Sequence, residues 1–60
     1  MAIVDYARPC MLAEMALKAA HDAMLNKCYV EAIEHGFIAL AETKLMINSI
    51  RDMQERAAQR

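Results

Sequence analysis

Residues 29–57 read YVEAIEHGFIALAETKLMINSIRDMQERA, and this stretch decides the fold. Apolar or small residues recur in it at steps of three and four, which is the repeat of one face of an α-helix. They are Tyr29, Ala32, Ile33, Gly36, Ala39, Leu40, Thr43, Met46, Ile47, Ile50, Met53 and Ala57. The other side carries Glu31, Glu34, Glu42, Ser49, Asp52 and Arg56. The pattern predicts an amphipathic helix over residues 30–57.

A second amphipathic stretch precedes it. Pro9, the only proline, suits the first turn of a helix because the missing N–H would have no partner there. From Pro9 onward one side is apolar and rich in alanine, whereas polar residues recur on the other at steps of three and four. These polar residues are Glu14, Lys18, His21, Asp22 and Asn26. We therefore predict a helix over residues 9–26, after a short arm of residues 1–8, with residues 9–60 forming the domain.

The break between the helices is predicted at residues 26–29. Asn26 tolerates the left-handed conformation that often ends a helix, and Lys27 suits a helix C-terminus. The apolar stripe also changes phase after Cys28. Few β-branched residues and only one glycine are present, so we predict an all-α antiparallel helical hairpin. The alternative is one unbroken helix of about 50 residues.

Composition excludes several classes of protein. The chain has 60 residues, of which 58% are hydrophobic and 25% charged, so a disordered or linker chain is excluded. No uncharged apolar run approaches the ~18–20 residues of a membrane span. The net charge of −1 offers no overall attraction to nucleic acid. Residues 1–9, MAIVDYARP, lack the pattern of a signal peptide.

Residues 17–42 resemble one tetratricopeptide-type helical hairpin. The similarity is carried by Tyr29-x-Glu31-Ala32-Ile33-Glu34 and Ala39-Leu40-x-Glu42, with Ala20, Ala32 and Ala39 at the small positions of the family. The chain departs from the family at Ala16, where an aromatic is expected, and at Lys27-Cys28, where Gly-Asp is expected. The resemblance implies hairpin geometry. It does not imply the peptide groove, which needs stacked repeats. In style, the chain is also similar to small accessory proteins of temperate bacteriophages.

The two cysteines do not predict a disulfide. Cys10 and Cys28 lie about 27 Å apart along a continuous helix, whereas a disulfide needs Cα atoms within about 7 Å. We therefore expect reduced thiols in a cytoplasmic protein, with a bridge between two chains as the alternative.

No catalytic or metal site is expected. Glu31, Glu34 and His35 share a helix face, but their spacing occurs once, and structural zinc prefers four ligands. His21 and Asp22 are adjacent, so their side chains diverge and do not orient one another. We predict a non-enzymatic protein without a cofactor, with these residues solvated on the surface.

The apolar residues exceed what one hairpin buries. A hairpin of this length is marginally stable alone, and pairing two copies doubles its apolar burial. We therefore predict a homodimer in the form of a four-helix bundle with a two-fold interface. Its expected core is Leu12, Ala16, Ala19, Ala23, Ile33, Ala39, Leu40, Ile47 and Ile50.

Surplus apolar residues indicate a function in protein–protein interaction. The expected dimer and partner interface comprises Met11, Leu25, Phe37, Ile38, Leu45, Ile50 and Met53. The leading hypothesis is a small regulator, inhibitor or adaptor that binds another protein. The alternative is a dimer that binds RNA or DNA through Lys44, Arg51, Arg56 and Arg60. A third possibility is a structural assembly subunit.

Overall fold

The computed structural model describes residues 6–58, and these form two helices. Helix α1 spans Ala7–Leu25 and helix α2 spans Tyr29–Ala58. They pack against each other as an antiparallel hairpin measuring 50 × 15 × 14 Å. The all-α hairpin predicted from the periodicity is confirmed, and the single unbroken helix is wrong.

Helix α1 begins two residues before the predicted start. Ala7 and Arg8, assigned to the arm, belong to its first turn. The first intrahelical bond runs from the Cys10 N–H to the Tyr6 carbonyl, with an N···O distance of 3.1 Å. Pro9 lies before that bond, in the first turn, where a backbone N–H has no acceptor within the helix. Its missing N–H therefore costs nothing. The rest of the predicted arm, residues 1–5, lies outside the described residues.

The two helices are joined by a Schellman turn. The Cys28 N–H donates to the Ala23 carbonyl at 2.8 Å, and the Lys27 N–H donates to the Met24 carbonyl at 3.0 Å. Lys27, with φ of 58°, is the residue in the left-handed conformation. Asn26, predicted to take that role, has φ of −95°, and its side-chain amide donates to the Asp22 carbonyl at 3.1 Å.

Small residues form the seam between the helices. The buried residues are Ala13, Ala16 and Ala23 of α1, and Ala32, Ala39 and Ser49 of α2. With the half-buried Pro9, Ala20, His35, Glu42 and Met46, they alternate steps of three and four, which gives a repeat of seven. Alanine lets helix axes approach toward the short end of the usual ~8–10 Å separation.

Part of the predicted core is not buried by this seam. Ala16, Ala23 and Ala39 are buried as expected, and Ala19 is half-buried. The larger members, Leu12, Ile33, Leu40, Ile47 and Ile50, are exposed in the hairpin. They flank the seam because the narrow strip of alanines faces the other helix. The wider strip of isoleucines and leucines lies beside it.

Two residues expected on the polar side of α2 belong to the seam. Ser49 is one of the most buried residues, and its hydroxyl donates to the Leu45 carbonyl at 3.0 Å. This bond within the helix removes the cost of burying the hydroxyl. Glu42 is half-buried.

The hairpin exposes more surface than a compact chain of its mass. Its accessible surface is 5140 Å², against about 3,950 Å² for a folded monomer of 6.8 kDa. Its radius of gyration is 14.6 Å, against about 10.4 Å for a compact domain of this length. The molecule is therefore a thin rod. Within residues 6–58, neither helix is long and apolar enough to cross a membrane.

Candidate interaction surface

The seam divides the hairpin into two lateral faces. A residue that directly follows a seam residue is rotated from it by about 100°. Because both helices are right-handed and antiparallel, such residues of α1 and α2 lie on the same side of the hairpin. Residues that directly precede a seam residue lie on the opposite side. An exposed residue can thus be assigned to one of the two faces by whether it directly follows or directly precedes a seam residue.

The side that follows the seam is apolar along α2 and mixed along α1. We call it the isoleucine face, and its large exposed residues are Leu17, Met24, Ile33, Leu40, Ile47 and Ile50. Gly36 and Thr43 lie between the larger residues and are half-buried. The Thr43 hydroxyl donates to the Ala39 carbonyl at 2.7 Å, so the side chain presents no unpaired donor. On α1 the same face also carries the exposed polar residues Glu14 and His21, which follow Ala13 and Ala20.

The side that precedes the seam is mixed. We call it the acidic face, since the exposed apolar residues Leu12, Met15, Ile38 and Leu45 are accompanied by the exposed carboxylates Glu31 and Glu34. The half-buried Glu42 lies beside them. An apolar partner docking here would have to desolvate carboxylates, which is unfavourable without a cationic partner.

A third group of apolar residues points away from the seam. Phe37 is 67% exposed, and Val30 lies seven residues earlier on the same strip of α2. On α1, Met11 and Leu25 occupy the corresponding outer positions. Each of these four residues is 62–70% exposed in the part of the chain that the structure describes.

The interface residues predicted from the sequence are all exposed, but they do not share one surface. Ile50 lies on the isoleucine face, Ile38 and Leu45 lie on the acidic face, and Met11, Leu25 and Phe37 point outward. Met53 lies on the part of α2 that follows the last buried residue, Ser49. Five exposed residues of the isoleucine face are not among the predicted interface residues, since their apolar spacing predicted the inner side of a helix: Leu17, Met24, Ile33, Leu40 and Ile47. The sequence did contain a signal for this arrangement. The alanines next to these residues allow the two helices to approach closely, so the alanines form the contact between α1 and α2.

The basic residues are likewise separated. Lys44 and Arg51 are seven residues apart and share one strip of α2, whereas Arg56 is rotated by about 140° from Arg51. Arg60 lies outside the described residues. The described basic residues therefore do not form one patch.

The two thiols are free, and one is bonded to a carboxylate. The Cys10 thiol donates to Glu14 Oε1 at 3.3 Å, while Cys28 is exposed at the turn. The hydrogen bond to Glu14 is the largest cause that raises the pKa of the Cys10 thiol above its ordinary value; burial and the negative charge of Glu14 act in the same direction. A raised pKa disfavours the thiolate, which is the nucleophilic form.

The candidate metal ligands do not converge. Residues 6–58 contain no group of three or more His, Cys, Asp or Glu side chains placed to hold a metal ion. His35, expected on the solvated side, is half-buried in the seam, whereas Glu31, Glu34 and His21 are exposed.

Comparisons with protein-family models, curated proteins and solved structures find no match. The resemblance to a tetratricopeptide hairpin and the similarity in style to bacteriophage accessory proteins therefore stay predictions.

Proposed function

We propose that the chain is a small non-enzymatic protein–protein interaction module, which pairs with itself and binds another protein as a regulator, inhibitor or adaptor. One observation carries the proposal. Seventeen large apolar side chains are exposed within residues 6–58, and no large side chain there is fully buried. So many large apolar side chains on the surface are typical of a protein with association sites and are rare on one that acts alone.

The distribution of these residues supports two kinds of contact. The isoleucine face is continuous and suits a long helical partner, whereas Phe37 and its neighbours form a separate outward strip. Aromatic residues are enriched among those that dominate binding energy. We therefore assign Phe37, with Ile38 and Leu45 on the adjoining side of α2, to the contact with another protein.

The test is a capture experiment with tagged protein in an extract of the source cells. Phe37→Ala, Ile38→Ala and Leu45→Ala should each reduce recovery of a specific protein, which mass spectrometry identifies, while circular dichroism stays that of the folded chain. The control is Gln54→Ala, an exposed residue of α2 outside the three apolar groups. Loss of helical signal in all three variants, or equal recovery with every variant, would contradict the assignment.

Binding of RNA or DNA is the alternative function, and a separate experiment on a nucleic-acid column tests it. Retention of the chain on a nucleic-acid column that weakens with salt would favour it. The separation of Arg56 from Lys44 and Arg51 speaks against a single basic surface.

A further inference from the structure

We propose that the isoleucine face is the site for a second copy of this chain, with each α1 lying across α2 of the other copy. This inference rests on the proposed function, because it specifies the self-association included there. The two-fold axis would run parallel to the helices, so that all neighbouring helices in the resulting bundle are antiparallel. Four observations support this arrangement.

The first observation is the repeat of the face. On α2 its members Ile33, Gly36, Leu40, Thr43, Ile47 and Ile50 alternate steps of three and four, as the seam itself does. This repeat keeps an apolar strip directed at a facing helix over its whole length. α2 therefore carries two such strips side by side, one that packs on α1 and one that nothing among residues 6–58 packs on. Helices with two adjoining strips are those of a four-helix bundle.

The second observation concerns Gly36. Glycine in the interior of a helix is unfavourable relative to alanine. A Cβ at Gly36 would meet nothing within 4 Å, so packing within the hairpin does not require glycine there. Close approach of a helix from outside the chain gives the missing side chain a role. A facing apolar side chain can enter the gap that Gly36 leaves between Ile33 and Leu40.

The third observation is area. The accessible surface of the hairpin exceeds that of a compact chain of the same mass by about 1,200 Å². A specific interface removes about 800 Å² from each partner. The surplus is thus large enough to supply one complete interface. The isoleucine face runs about 25 Å along α2 from Ile33 to Ile50, so it provides the length that such an interface needs.

The fourth observation is charge, and it selects the second copy as the occupant. Glu14 follows the seam residue Ala13 and so lies on the isoleucine face of α1, whereas Lys44 and Arg51 lie on the outward strip of α2, next to that face. Counted from the turn, Glu14 and Lys44 are level to within about one helical turn. When α1 lies across α2 of the second copy, Glu14 of each copy lies near Lys44 of the other. The dimer then contains two such pairs. The other two-fold arrangement, with α2 across α2, would place Lys44 and Arg51 of both copies along one edge. Like charges there are destabilising.

The experiment measures the dissociation constant of the dimer by sedimentation equilibrium from micromolar to millimolar concentration under reducing conditions. Leu17→Gln tests the face, and Met15→Gln is its matched control. Both residues lie in the middle of α1, both are exposed to a similar extent, and they lie on opposite sides of the seam. Leu17→Gln should raise the dissociation constant by at least about tenfold, since each dimer loses two apolar contacts. Met15→Gln should leave it unchanged.

A charge exchange tests the arrangement. Glu14→Lys and Lys44→Glu should each weaken the dimer severalfold at low salt, and the chain that carries both should recover the original constant. Weakening by Met15→Gln in place of Leu17→Gln would overturn the assignment of the face but leave self-association intact. Failure of the double exchange to recover binding would overturn the arrangement. A wild-type chain that stays monomeric throughout would overturn the inference together with self-association, while the capture experiment would still test the contact through Phe37.

Discussion

Ala39 and Leu40 are consecutive residues of α2, yet Ala39 is 4% exposed and Leu40 is 57% exposed. The rotation of about 100° between them turns one side chain onto α1 and the other away from it. The smaller of the two occupies the contact. The separation between the helices is therefore set by methyl groups, and a larger side chain in the seam should force them apart.

Ala39→Leu should destabilise the hairpin by about 1–3 kcal/mol, because the added atoms have no space in the seam. Ala41→Leu makes the same change at an exposed position of α2 and should alter the free energy of unfolding by less than about 0.5 kcal/mol. Chemical denaturation followed by circular dichroism, at one protein concentration, measures both. Equal effects of the two substitutions would show that the seam tolerates bulk.

Lys27→Gly should stabilise the turn by about 1 kcal/mol. Lys27 holds φ of 58°, where a side chain is strained and glycine is not. Asn26→Gly is the matched control, since Asn26 has negative φ and its amide bonds the Asp22 carbonyl. This control should have no stabilising effect. If thermal unfolding instead shows a gain for Asn26→Gly and none for Lys27→Gly, the left-handed residue has been misassigned.

Cys28→Ser should stabilise α2 by about 0.5–1 kcal/mol. The Cys28 carbonyl accepts the first bond of α2 from the Ala32 N–H at 3.0 Å, so Cys28 is the N-cap residue. Serine caps better than cysteine, and Ser-x-x-Glu with Glu31 would form a capping box. The gain in unfolding free energy should shrink when Glu31→Ala is added. An unchanged gain would mean that Glu31 does not take part.

Alkylation of Cys10 by iodoacetamide should be slower than that of an ordinary thiol below pH 9. The bond to Glu14 raises the Cys10 pKa above its ordinary value, so the reactive thiolate fraction is smaller at each pH below it. Glu14→Gln removes the charge and should lower the pKa, which moves the rate profile to lower pH. Measurements in Cys28→Ser protein isolate the signal from Cys10. Superimposable profiles with and without Glu14 would contradict this account.

The same raised pKa fixes the sign of a stability change with pH. The folded chain holds the Cys10 proton more tightly than the unfolded chain, whose thiol has its ordinary pKa. This contribution to stability is therefore present below the ordinary pKa of the thiol and is lost as the pH rises through the raised pKa. Glu14→Gln should reduce the loss of stability seen at alkaline pH.

The helices and their boundary could be predicted because periodicity and turn chemistry are local properties. The sequence did not show which half of the wide apolar strip of α2 faces α1. Ala32 and Ile33 are adjacent, and both fit the helical repeat. Hydrophobicity favours the isoleucine as core, whereas close approach of two helices favours the alanine. Ser49 was misplaced for a related reason. Its polarity indicates solvent, but its bond to the Leu45 carbonyl satisfies the hydroxyl inside the seam.

The left-handed residue of the turn was also beyond local prediction. Propensity favours Asn26 over Lys27 in that conformation. The residue that becomes left-handed instead depends on where α1 ends. The Schellman bonds donated by Lys27 and Cys28 place that conformation at Lys27.

The alanine seam connects the lifetime of this protein to its abundance. Each buried methyl group contributes only about 0.8 kcal/mol, so a hairpin closed by alanines holds little stability of its own. Under the proposed assembly, association supplies the remainder, and the folded fraction then rises with concentration. Copies present below the concentration at which they pair would spend more time open and reach proteases first. Degradation would thereby remove the chain when it is scarce and spare it when it is abundant.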